Sequence, residues 1–146
     1  MNIQFTEDLL AQPLLAVLVT EDNMSEVLAE SPFSDNLITW VEDADFKAKD
    51  GTTLALPSGA LNNSGDVKAV LLVGTSDTDR LAGGQIGYYA KEKGLSGVTV
   101  YNANNVEVVT TQIILGNYRF ENYKLTPKDN LETIAFVEDV GMVFAA

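Results

Sequence analysis

Residues 74–87, GTSDTDRLAGGQIG, place glycine, hydroxyl and carboxylate groups where an apolar run gives way to a helical pattern. A strand-to-helix turn of this kind can hold a phosphate on the first amides of the helix. The spacing fits neither a dinucleotide fingerprint nor a P-loop, because no Gly-Lys-Ser/Thr occurs. Asp77 and Asp79 would set negative charge against any phosphate, whereas as caps of the following helix they would favour its dipole. Gly83, Gly84 and Gly87 would then let that helix pack closely on a sheet. Glu42, Asp43 and Asp45, or Glu138 with Asp139, could hold a hard cation, but without EF-hand spacing they read as solvated acidic faces. Serine and threonine nucleophiles lack a base, since the chain has no histidine and no Gly-x-Ser-x-Gly. Cysteine is absent too, which removes disulfides, thiolate metal sites and thiol nucleophiles together. No catalytic, cofactor-binding or metal-ligating residue is therefore assigned in this chain.

A second concentration of reactive groups is LGNYRFENYK, residues 115–124, with Tyr118, Arg119, Phe120, Tyr123 and Lys124. Here a helical pattern turns extended. The rings are expected to cover the sheet edge, while Arg119 and Lys124 run past them to water or to acids. A cation in the last turn also complements the negative end of a helix. The run YNANN, residues 101–105, is similar to the Asn-rich signature of ADP-ribose-binding macro domains. In those the Asn motif precedes the glycine-rich loop, and here AGGQIG comes first. Side-chain amides capping the next helix account for the run more simply.

The elements that must position these groups alternate between strand and helix. Pro13 opens LLAVLVT, an apolar run of strand length, and VKAVLLVGT is a second; such continuous runs suit strands buried on both faces. Asn23 can cap a helix reaching about Ser31, and Asp35 can cap NLITWVEDA. TLAL follows the turn KDGT and stops at Pro57. A helix starting at Asp77 or Thr78 runs to Lys93, closed by Gly94. GVTVYNA is a strand, and NNVEVVTTQIILGNYRF a helix with Val106, Val109, Ile113 and Leu115 to Gly116 on or near one face. LETIAFVED is the final strand. The expected fold is α/β, a three-layer mixed or parallel sheet flanked by helices with right-handed crossovers, in one domain over 1–146.

Composition bounds the partners. The 146 residues carry 21 acidic against 9 basic side chains, a net charge of −12. Without clustered lysine and arginine such a surface has no means of displacing counterions from nucleic acid, so no nucleic-acid partner is expected. The longest wholly apolar stretch, Leu14 to Val19, falls far short of the ~20 residues that cross a bilayer. No basic residue precedes Lys47, so a secretory leader is not expected and a cytoplasmic location is.

LGNYRFENYK closely resembles the signature that closes the N-terminal domain of the leucyl aminopeptidase (cytosol aminopeptidase) family, typically Leu-Leu-Gly-x-Tyr-Arg-Phe-Asp-x-Tyr-Lys. Ile114 and Leu115 stand for the leucines, and Gly116, Tyr118, Arg119, Phe120, Tyr123 and Lys124 match outright. Glu121 replaces the Asp. DFKAKDGTTLALP, residues 45–57, resembles the family's Asp-Phe-Lys-Gly-Lys-x-Gly-Glu segment, with Ala48 for Gly and Thr52 for Glu. VKAVLLVGT resembles its Leu-Val-Gly-Leu-Gly strand end, with Ser76 at or near the second glycine. The resemblance implies a macro-domain-like α/β domain without catalysis of its own, serving a metallo-aminopeptidase as an accessory and assembly domain. Two divalent metals, zinc or manganese, are implied only for a catalytic domain whose Asn-Thr-Asp-Ala-Glu-Gly-Arg-Leu signature is absent here. That domain and neighbouring subunits of a hexamer are the implied partners. The alternative is a stand-alone macro-like module that binds a nucleotide-like ligand near residues 74–87, or a protein partner.

Overall fold

Among the described residues, six strands and four helices follow in the order β1 (Asn2–Thr6), β2 (Leu14–Val19), α1 (Met24–Leu28), α2 (Asn36–Asp43), β3 (Thr53–Pro57), β4 (Ala69–Gly74), α3 (Arg80–Glu92), β5 (Gly97–Tyr101), α4 (Val106–Tyr118) and β6 (Thr133–Val137). They come from a computed structural model that describes residues 2–6, 11–28, 36–57, 59, 61, 65–76, 79–118 and 131–137. The strands form one sheet in the order β1-β6-β5-β2-β4-β3. All neighbours are parallel except β3, which runs antiparallel to β4 at the edge. The expected α/β class is therefore correct, with Pro57 ending the edge strand where a missing N–H does least harm.

The apolar runs lie where continuous hydrophobicity requires. β2 is central, paired with β4 on one side and β5 on the other, and every one of its residues is buried. Leu15, Val17 and Val19 face a cluster with Val27, Leu28, Leu37 and Val41 of α1 and α2. Leu14, Ala16 and Leu18 face Ala82, Ile86 and Ala90 of α3 and Val109 and Ile113 of α4. The chain moves one way across the sheet from β2 to β4 and the other way from β4 through β5 to β6. Crossovers of constant hand that travel in opposite directions place their helices on opposite faces, giving the three layers.

Several local expectations change. The sequence pattern does not predict strand β1: Ile3 and Phe5 stay largely exposed, and the Phe5 ring lies beside that of Phe136, with centroids 5.9 Å apart. Helix α1 is described as far as Leu28, and the rest of its expected span to about Ser31 lies outside the described residues. Just before it, Asn23 and Thr20 exchange bonds (Thr20 N–H to Asn23 Oδ1 2.8 Å, Asn23 N–H to Thr20 Oγ1 3.1 Å), and the Asn23 carbonyl accepts Val27 N–H at 3.0 Å. Asp77, Thr78 and Asp35, expected as caps, lie outside the described residues. Gly94 does close α3: at φ 65 its N–H meets the Lys91 carbonyl at 3.1 Å while Leu95 N–H meets that of Ala90 at 2.8 Å, the paired bonds of a glycine-terminated helix. On α4, Val109 and Ile113 are buried as expected, but Leu115 is 52% exposed.

Candidate functional site

The reversal of chain direction at β2 leaves a crevice at the C-terminal ends of the parallel strands, where ligands of open α/β sheets sit. Thr20 follows β2, Thr75 and Ser76 follow β4, and Asn102 to Asn105 follow β5. The strand ends are stitched together: Thr75 N–H donates to the Val19 carbonyl at 2.8 Å, and Asn102 Nδ2 to that of Leu18 at 2.9 Å.

Asp79 lies at the centre of this arrangement. It is wholly buried and left-handed (φ 58°), and its side chain makes no cap bond to α3. Its Oδ1 accepts from Thr75 Oγ1 at 2.6 Å and Asn104 Nδ2 at 3.2 Å. Its Oδ2 accepts from the backbone N–H groups of Asn104 at 2.5 Å and Asn105 at 2.7 Å. Asn105 caps α4 in turn, its Oδ1 receiving Val108 N–H at 3.1 Å. The expectation that Asp79 caps the helix following it is thus corrected, since its carboxylate serves the start of α4 instead. A left-handed residue aims its side chain away from its own helix, and Asp tolerates that backbone better than most. The expectation that the YNANN amides cap the next helix is met by Asn105 alone; those of Asn102 and Asn104 donate instead to the Leu18 carbonyl and to Asp79.

The glycines of residues 74–87 answer to steric closeness. A Cβ on Gly74 would overlap the carbonyl oxygen of Lys49, because the turn at 48–52 crosses there and bonds to Gly74 (Gly51 N–H to Gly74 O 2.9 Å, Gly74 N–H to Thr52 O 2.8 Å). Gly83 and Gly87 abut α4 rather than the sheet, which corrects the expected packing partner. A Cβ on Gly83 would stand 2.7 Å from Gln112 Cβ, and one on Gly87 would overlap the Ile113 carbonyl oxygen. Gly84 has open space at its missing Cβ, yet a Cβ on Gly116 would overlap the Gly84 carbonyl. On the outer side of this close helix pair, Leu81, Tyr88 and Leu115 line a groove with Arg80, Gln85 and Gln112.

Of LGNYRFENYK, residues 115–118 lie in α4, and Arg119, Phe120, Tyr123 and Lys124 lie outside the described residues. The residue of this run that sequence reasoning passed over is Asn117. It is buried, its Nδ2 donates to the Gly87 carbonyl at 3.2 Å, and its Oδ1 accepts Leu131 N–H at 3.4 Å. Glu42, Asp43 and Asp45 are exposed and converge on nothing. Asp45 pairs with Lys47 at 2.9 Å on the open surface, where such pairs contribute little. Glu138 and Asp139 lie outside the described residues. Among the described residues no group of three or more acidic, His or Cys side chains could hold a metal ion, and no helix is long and apolar enough to cross a membrane.

The model of the cytosol aminopeptidase family's N-terminal domain matches residues 16–127. Similar solved structures include a tomato leucine aminopeptidase mutant, at 17% identity and a TM-score of 0.69, covering 94% of this chain and 32% of that one. Leucyl aminopeptidase from Trypanosoma cruzi in its apo form aligns at 14% identity and a TM-score of 0.48, covering 93% of this chain and 32% of that one. The chain thus spans about a third of the length of these structures. No curated protein sequence matches it.

Proposed function

The chain belongs to the cytosol aminopeptidase family through its N-terminal domain, and from that premise we propose that it is a non-catalytic accessory and assembly domain of a leucyl-aminopeptidase-like metallopeptidase. The observation that supports the reading is the match over residues 16–127 to the family's N-terminal domain. The likeness in fold to one third of tomato leucine aminopeptidase agrees with it. Its partners are then a catalytic domain and neighbouring subunits of a hexamer, in the cytoplasm. The net charge of −12 disfavours nucleic acid as a further partner.

Two divalent metals, zinc or manganese, belong in this reading to the catalytic domain. Among the described residues no three candidate ligands meet to hold them, and hydrolysis by a metal pair needs both ions held together. No step of peptide hydrolysis is therefore assigned to this chain. The test is turnover of leucine amide by the rigorously purified chain with zinc, manganese or cobalt. No turnover is expected, and activity that chelator abolishes would overturn the non-catalytic reading.

A further inference from the structure

Asp79 is the only buried acid among the described residues, and its partners are two backbone amides, a hydroxyl and a side-chain amide, none of them cationic. A carboxylate has about four lone-pair positions, and here each oxygen receives two donors. Consecutive amides at the start of a 13-residue helix, joined by a hydroxyl, are also the donors that an oxyanion collects at such a place. The position is filled, and the group filling it is covalently part of the β4–α3 turn.

We propose that Asp79 is an internal anion: its carboxylate occupies the oxyanion position at the start of α4, closes that position to external phosphate, and ties the β4–α3 turn to the β5–α4 turn. The left-handed backbone at Asp79 belongs to the same device, because it turns the side chain across the crevice to donors 25 and 26 residues further along the chain. Charge is essential to it. A carboxylate at a helix N-terminus interacts favourably with the helix dipole, and its hydrogen bonds are stronger than those of a neutral acceptor. The device holds whether or not the chain serves an aminopeptidase.

The test uses the whole chain and inorganic phosphate. In Asp79→Gly the backbone keeps its left-handed conformation without strain, while the donors lose their anion. In chloride its melting temperature should fall by at least ~5 °C. Phosphate at matched ionic strength should restore a saturable part of that loss and broaden the phosphate resonance in ³¹P spectra, and should do neither to the wild type. Asp79→Asn keeps the shape and removes the charge; it should melt below the wild type and gain nothing specific from phosphate. Equal phosphate responses in wild type and Asp79→Gly would overturn the proposal, as would an Asp79→Asn protein as stable as the wild type. Should Asp79→Gly not fold in either salt, the Asp79→Asn melt decides alone.

Discussion

Alanine at Gly87 should separate the two helices on one face of the sheet, and the size of the effect follows from what the new methyl group meets. It would overlap the carbonyl oxygen of Ile113 and stand 2.8 Å from the backbone nitrogen of Asn117. Carbon normally approaches such an oxygen no closer than ~3.3 Å, and neither atom belongs to a side chain that can rotate away. Helices α3 and α4 must therefore part by roughly an ångström, enough to forfeit a quarter to a half of each close contact's attraction. Overpacking of this kind costs ~1–3 kcal/mol. Stretching the bond from Asn117 to the Gly87 carbonyl adds about 1 kcal/mol. Against this, alanine is the better helix former by ~1 kcal/mol. The net expectation is a loss of ~2 kcal/mol, or about 6 °C at this chain length. Gly84→Ala, one helical turn earlier, supplies the control. Its methyl group would meet nothing within 4 Å, so it should gain ~0.5–1 kcal/mol from propensity alone. Urea melts of the two variants measure the contrast. A Gly87→Ala protein as stable as the wild type would refute the close-packing argument, and so would a destabilised Gly84→Ala.

Gly74→Ala should lose ~2 kcal/mol or more in urea melts, because its methyl group would press on the backbone of Ala48 and Lys49. Asn117→Ala should lose ~1–3 kcal/mol by leaving the Leu131 N–H and the Gly87 carbonyl unserved, again read by urea melts. Burial, then the charge of Glu92, raises the Tyr89 phenol above its ordinary pKa of 10.0. The unfolded chain therefore ionises this group first: its contribution is intact below pH 10 and lost as pH rises beyond, and Tyr89→Phe should flatten that fall in alkaline melts. Duplex DNA should not bind at physiological salt, and a salt-sensitive complex of micromolar affinity in fluorescence anisotropy would contradict the charge argument.

How much of this was legible in the sequence depended on how local each cause is. Strands β2 and β4 announce themselves because burial on both faces leaves no room for polar residues, and Gly94 because a helix end needs a left-handed residue. Strand β1 carries only two large apolar side chains, both facing a region where no described helix covers them, so its pattern does not differ from that of a polar loop. The glycines of residues 74–87 signalled close approach, but which backbone approaches is a property of the tertiary fold. The acids invited a cap or a cation site for the same reason. Asp79 lies beside the start of α3 in sequence, while the amides it serves are brought to it only by the return of the chain through β5. Asn117 falls at a variable position of the LGNYRFENYK motif and so carries no sequence signal, although it joins α3 to the segment before β6.

The pairing of β1 with β6 has a consequence for how the molecule folds and opens. Residues 2–6 register against 133–137, so the outer edge of the sheet is made from stretches separated by most of the chain. Closing so long a loop is entropically unfavourable before any contact forms, and contacts of such separation are made late in folding. Strand β5 stands in the opposite position, since β6 can join it after the single crossover through α4. Assembly therefore proceeds outward from β2, with β1 the last strand to be laid down and, its side chains largely in water, the first to peel away. Amide protons held between β1 and β6 should exchange through this local opening long before those of β2, and trimming the first six residues should leave the central strands' exchange almost untouched.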